Sequence, residues 1–111
     1  AGVRFGLSTH DEAELERALS HDPAYVALGP VYPTLLKKME WGPQGLDRVR
    51  AWKKMAGGTP LVGIGGLTPE RLPGLFAAGA DCAAVVTDIA TAENPAARCA
   101  EWIAATREYF R

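Results

Sequence analysis

Residues 60–70 read Pro60-Leu61-Val62-Gly63-Ile64-Gly65-Gly66-Leu67-Thr68-Pro69-Glu70. A short apolar run turns abruptly into glycine and then into a helix start. Thr68 suits a cap, Pro69 the first helical position, and Glu70 the positive end of the helix dipole. A buried strand that ends in glycines and feeds a helix leaves backbone N–H groups pointing outward, a geometry that holds a phosphate. A Gly-Gly pair taken alone fits a plain turn equally well.

The flanking segments repeat the theme. Residues 3–8 and 24–29 are short apolar runs that read as strands. After the first comes a helix carrying Ala13, Leu15, Ala18 and Leu19, with Asp11 and Glu12 suited to its first turn and His21-Asp22-Pro23 stopping it. After the second comes a long polar, proline-bearing connection over residues 30–45. Connections of that length are uncommon inside compact domains and are often functional. Leu46, Val49 and Trp52 then start a second helix that ends near Gly57-Gly58. On the other side of residues 60–70, Arg71, Leu72, Leu75 and Phe76 form a third helix. Pro73 makes its start irregular and Gly79 closes it. Residues 82–86 make a fourth strand, and Asn94-Pro95 opens a last helix marked by Ala97, Ala100, Ile103, Ala104 and Tyr109.

Four strand–helix repeats predict an α/β fold with a parallel sheet joined by right-handed crossovers. The nearly all-apolar strands predict a sheet covered on both faces. The pattern alone leaves open half of an eight-fold barrel and a small doubly wound sheet. Both bind ligands at the carboxyl ends of the strands.

Composition narrows the classes. At 111 residues the chain is expected to be a single domain over 1–111. A net charge of −1 argues against non-specific nucleic-acid binding. No apolar run approaches the length of a membrane span and no basic-then-apolar leader is visible, so a cytoplasmic protein is expected. Cys82 and Cys99 fit no metal spacing and read as free thiols, one in the core and one on a helix.

Four loops would carry the chemistry: Ser8, Thr9 and His10 in the first, Tyr32, Thr34, Lys37 and Lys38 in the second, Gly65 and Gly66 in the third, Thr87 and Asp88 in the fourth. Hydroxyls, lysines and glycine amides make a kit for phosphate or pyrophosphate. The carboxylate pairs of a glycosidase and the nucleophile setting of a hydrolase are not among them. Each residue also has a plainer reading. Ser8, Thr9 or Asp88 could cap a helix, His10 could merely start one, and Lys37 and Lys38 could be a solvated pair. Trp41 suits covering a ligand or packing the loop.

The segments FGLSTHDEAE, YVALGPVYPTLLKK, GPQGL, PLVGIGGLTPE, the AGAD turn at Ala78 to Asp81, and AVVTDIATAENP resemble thiamine phosphate synthase (thiamine-phosphate pyrophosphorylase), in family order along nearly the whole chain. That family folds as a (β/α)8 TIM barrel, and the resemblance is to its carboxyl-terminal half. It implies a transferase of thiamine biosynthesis, joining hydroxymethylpyrimidine pyrophosphate to thiazole phosphate with release of pyrophosphate. By position, Ser8 would touch the pyrophosphate and Lys37 would neutralise its leaving charge. Thr34, Leu35 and Leu36 would line the thiazole phosphate site, and Gly66, Val86 and Thr87 would give it backbone N–H groups. The family usually has a second hydroxyl where this sequence has Leu36. The resemblance also implies magnesium, with ligands expected in an amino-terminal half that has no counterpart here; Asp11, Asp22 and Asp88 do not match those positions, and no metal ligand is assigned. Activity of this chain on its own is not expected. A half-barrel would expose two edges and an apolar face, so a homo-oligomer or association with the other half is expected. The alternatives are a thiazole tautomerase-like protein, which would employ a histidine near His10, and a non-catalytic phosphate-binding half-barrel.

Overall fold

The computed structural model describes residues 4–32, 44–107 and 109. Strand β1 (Gly6–Thr9) leads to helix α1 (Glu12–Leu19), β2 (Tyr25–Leu28) to α2 (Gly45–Ala56), and β3 (Leu61–Ile64) to a 3-10 turn at Pro69–Arg71 that runs into α3 (Leu72–Ala77). Strand β4 (Cys82–Ala84) is followed by a short α4 (Thr87–Ala90) and by α5 (Pro95–Thr106). The sheet is parallel throughout, in the order β1-β2-β3-β4. Its register places Ser8 beside Ala27, Ala27 beside Val62, and Ile64 beside Ala84.

Local chemistry accounts for most boundaries. Asp11 accepts the Glu14 N–H at 2.8 Å and caps α1. Asn94 accepts the Ala97 N–H at 3.1 Å and caps α5, with Pro95 at its first position. Pro73 explains the irregular start of the third helix, because the 3-10 turn ends just before Leu72. Thr68 departs from expectation. Its backbone has cap geometry, yet its hydroxyl takes no helix N–H. Strand β4 stops at Ala84 because Val85 and Val86 already bend into α4. A four-residue helix is too short to show a hydrophobic period, so the sequence pattern does not reveal it.

Alternation along the strands sorts the core. Leu7, Thr9, Val26, Leu28, Leu61 and Gly63 point toward the helices, where Leu15, Val49, Trp52, Leu72, Leu75 and Trp102 join one cluster of buried side chains. A Cβ on Gly63 would lie 2.8 Å from the Leu75 side chain, which shows how closely α3 approaches β3. The other face carries Gly6, Ser8, Tyr25, Ala27, Val62, Ile64, Cys82 and Ala84. Among the described residues the helices pack on one face only, and Tyr25 stays 42% exposed and Cys82 exposed on the other. The expectation of Cys82 in the core is therefore corrected to an exposed position, and the described helices cover one face of the sheet, leaving the apolar face expected of a half-barrel. Apolar strands show that both faces suit burial, not what covers them. Cys82 and Cys99 are both free thiols.

Candidate functional site

The carboxyl ends of the strands open on a cleft of about 500 Å³. Ser8 from β1, Gly66 from the loop after β3, and Val86 and Thr87 from the loop after β4 line it together. Its floor is the uncovered sheet face, through Ala27, Ile64 and Ala84. Small side chains on that floor leave the space.

The loop after β2 is fastened to the glycine turn by backbone hydrogen bonds. Val31 N–H donates to the Ile64 carbonyl and Tyr32 N–H to the Gly65 carbonyl, each at 3.0 Å. Gly65 has a φ of +103°, and a Cβ there would lie 2.6 Å from the Pro30 Cα, so no side chain fits at this position. Gly66 also has positive φ. Among the described residues, no backbone acceptor takes the N–H groups of Gly66 or Leu67. The turn thus combines close packing on one side with bare donors on the other.

Ser8 and Thr9 are neighbours with opposite fates. Ser8 is exposed on the cleft side. Thr9 is fully buried on the helix side, where its hydroxyl donates to the Ala27 carbonyl and accepts from Trp52 Nε1–H, both at 2.8 Å. The expectation of Thr9 as a loop hydroxyl or helix cap is corrected: it ends β1 and ties β2 to α2. His10 lines the cleft while its N–H and its ring Nδ1 both meet Glu14 Oε1, at 2.7 and 2.8 Å.

Asp88 also lines the cleft but neither caps a helix nor stands bare. Arg98 of α5 donates to both its carboxylate oxygens, Nε at 2.8 Å and Nη2 at 3.1 Å, and Trp102 Nε1–H donates at 2.7 Å. The Arg98 contact, aided by Trp102, holds the Asp88 carboxyl below the usual carboxylate range, against some opposition from burial. Magnesium, implied by the resemblance, finds no fitting set of ligands here. Among the described residues, no three His, Cys, Asp or Glu gather closely enough to hold a metal ion.

Sequence reasoning passed over three supporting residues. Gln44 Nε2 donates to the His10 carbonyl at 3.0 Å and reaches that of Gly29 at 3.3 Å. Arg71 donates to the Gly66 carbonyl while its guanidinium lies 4.3 Å over the Tyr32 ring. Arg98 was hidden in a helix with no periodic signal of its task. Only Arg71, five residues after Gly66, had a sequence position that could have suggested its role. Thr34, Leu35, Leu36, Lys37, Lys38 and Trp41 lie outside the described residues.

A family model for thiamine monophosphate synthase matches residues 1–89 of this sequence. The chain belongs to the thiamine monophosphate synthase family. Among members of the thiamine monophosphate synthase family, the thiamine-phosphate synthase of Rhizobium etli is 57% identical over 96% of this chain, which covers 52% of that protein. The thiamine-phosphate synthase of Neisseria meningitidis serogroup A is 48% identical over 87% of the chain and 47% of the relative. The chain spans about half the length of these curated relatives. Among solved structures, the thiamine phosphate pyrophosphorylase from Pyrococcus furiosus superposes with a TM-score of 0.81 at 24% identity, over 96% of this chain and 50% of that one. The four-stranded parallel sheet and its helices therefore correspond to half of a TIM-barrel fold. No helix among the described residues is long and apolar enough to cross a membrane.

Proposed function

We propose that residues 1–111 act as one domain, the carboxyl-terminal and phosphate-binding half of a cytoplasmic thiamine phosphate synthase. In that transfer the bond from the hydroxymethyl carbon of the pyrimidine to pyrophosphate breaks, the pyrophosphate leaves with the bonding pair, and the thiazole phosphate nitrogen forms the new carbon–nitrogen bond. The observation that carries this reading is the convergence on one cleft of Ser8 from β1, Gly66 from after β3, and Val86 and Thr87 from after β4. Bare N–H groups at Gly66 and at the start of α4 suit the oxygens of the thiazole phosphate. The Ser8 hydroxyl suits the pyrophosphate. Thr34, Leu35 and Leu36 complete the thiazole phosphate site and Lys37 neutralises the leaving group, both on the family resemblance. The described residues offer magnesium no ligand set. A complementary half-barrel covers the open face: an amino-terminal half or a second copy of this chain.

Titration with thiazole phosphate and with pyrophosphate tests the site. Binding of both is expected, and Lys37→Ala is expected to weaken pyrophosphate more than thiazole phosphate. Failure to bind either ligand would reduce the chain to an α/β module without the site. Thiamine phosphate formation from both substrates with magnesium is expected only when the complementary half is present. A monodisperse monomer by light scattering that binds no surface-sensitive dye would contradict the covered face.

A further inference from the structure

Arg98 belongs to none of the loops that line the cleft, yet it touches the residues behind two of them. Its bidentate contact with Asp88 grips the first turn of α4, immediately after Val86 and Thr87. Its Nη atoms also reach the Glu70 carboxylate at 3.4 and 3.5 Å, and Glu70 sits in the turn that follows the glycine loop. Glu101, one turn along α5, accepts from Nη1 at 2.6 Å and orients the guanidinium. The planar fork of arginine can serve these directions at once, whereas a lysine ammonium cannot reproduce the bidentate geometry. The Asp88 contact is the short, well-formed one and Glu70 the looser one, so α4 is held more firmly than the glycine turn.

Charge adds a second consequence. Asp88 lines a cleft that, on the reading above, receives phosphate groups. A bare carboxylate there would repel them. Arg98 and Trp102 occupy its oxygens and offset its charge from behind. Arg98 also lies beyond residues 1–89, the part matched by the family model.

We propose that Arg98 is a positioning residue of the phosphate site, fastening the loops after β3 and β4 to α5 and cancelling the Asp88 charge at the cleft. The proposal rests on the phosphate-binding reading for its second part only. Amide hydrogen exchange tests the fastening at N–H groups that are hydrogen-bonded within the two segments, Arg71 after the glycine loop and Ala90 and Thr91 after Val86 and Thr87, and titration with inorganic phosphate tests the charge. Arg98→Gln is expected to speed exchange in both loops and to weaken phosphate binding about tenfold. Adding Asp88→Asn is expected to recover part of that affinity without slowing exchange, which a merely structural loss would not do. Unchanged exchange in both loops overturns the fastening. Undiminished phosphate affinity in Arg98→Gln, or no recovery in the pair, overturns the charge role. If the unsubstituted chain takes no phosphate while exchange still rises, the phosphate reading fails and the fastening stands. Should Arg98→Gln not fold, Arg98→Lys keeps the charge but loses the fork. Faster exchange with phosphate affinity kept supports the proposal, and unchanged exchange overturns it.

Discussion

The two faces of the sheet obey different rules. Toward the helices, Leu28, Leu61, Leu72, Leu75 and Trp52 are packed without solvent contact. Toward the cleft, the same strands present Ser8, Ala27, Ile64 and Ala84, and the loops above them present backbone amides. One face stores the stability of the chain and the other lines the cleft. Ser8 and Thr9 show the division within two consecutive residues, because a strand sends neighbours to opposite sides. Two hydroxyls of nearly equal chemistry become a cleft-lining group and a buried strut.

Substitutions that break one face and spare the other sharpen the contrast. The largest effect is expected for Trp52→Ala, which empties a fully buried site and removes the partner of Thr9. A loss of about 3–5 kcal/mol in unfolding free energy is expected from denaturant titration. Thr9→Val keeps the volume but leaves Trp52 Nε1–H unpaired in the core, for an expected loss of about 1–3 kcal/mol by the same measurement.

A smaller effect is expected from acid. The Asp81 carboxyl meets a burial penalty, but Lys53 at 2.8 Å and the Leu61 N–H at 2.9 Å outweigh it and hold it below its ordinary range. Asp88 is lowered in the same direction by Arg98. A folded value below the unfolded one means that the contribution is fully present above the ordinary carboxylate range. It is lost as pH falls through the lowered folded values. The urea midpoint is therefore expected to be level near neutrality and to drop in acid, with a shallower drop in Asp81→Asn. Both groups are partly solvated, so the change at each is expected to stay within about 1 kcal/mol.

The smallest stability effect belongs to Ser8→Ala, within about 0.5 kcal/mol. Pyrophosphate affinity is expected to fall nonetheless. A Ser8→Ala chain as destabilised as Thr9→Val would erase the division between the faces.

Much of the fold is legible in residue order. Leu61–Ile64 is the third strand in both the pattern and the structure, and Gly45–Ala56 follows its apolar stripe. Pro95–Thr106 is a helix as expected, but the stripe of Ala97, Ala100, Ile103 and Ala104 is exposed, Trp102 is the residue it buries, and Tyr109 lies beyond its end. Glycine after a buried run, with Pro69 behind it, marks the site loop because few other residues tolerate that backbone. What stays hidden is direction. Nothing local says that Thr9 turns toward Trp52 or that Asp88 is claimed by a residue ten positions on, since these are contacts between separate elements.

The sequence by itself determined the strand–helix alternation, the parallel sheet and the glycine turn at residues 65–66, because periodicity, caps and permitted backbone angles act within a few residues. Only the tertiary structure decided which sheet face is covered, which of two adjacent hydroxyls meets the cleft, and that Arg98 stands behind the loops on either side of it. Those outcomes depend on packing between distant segments, where burial and hydrogen-bond pairing choose among side chains that look alike in the sequence.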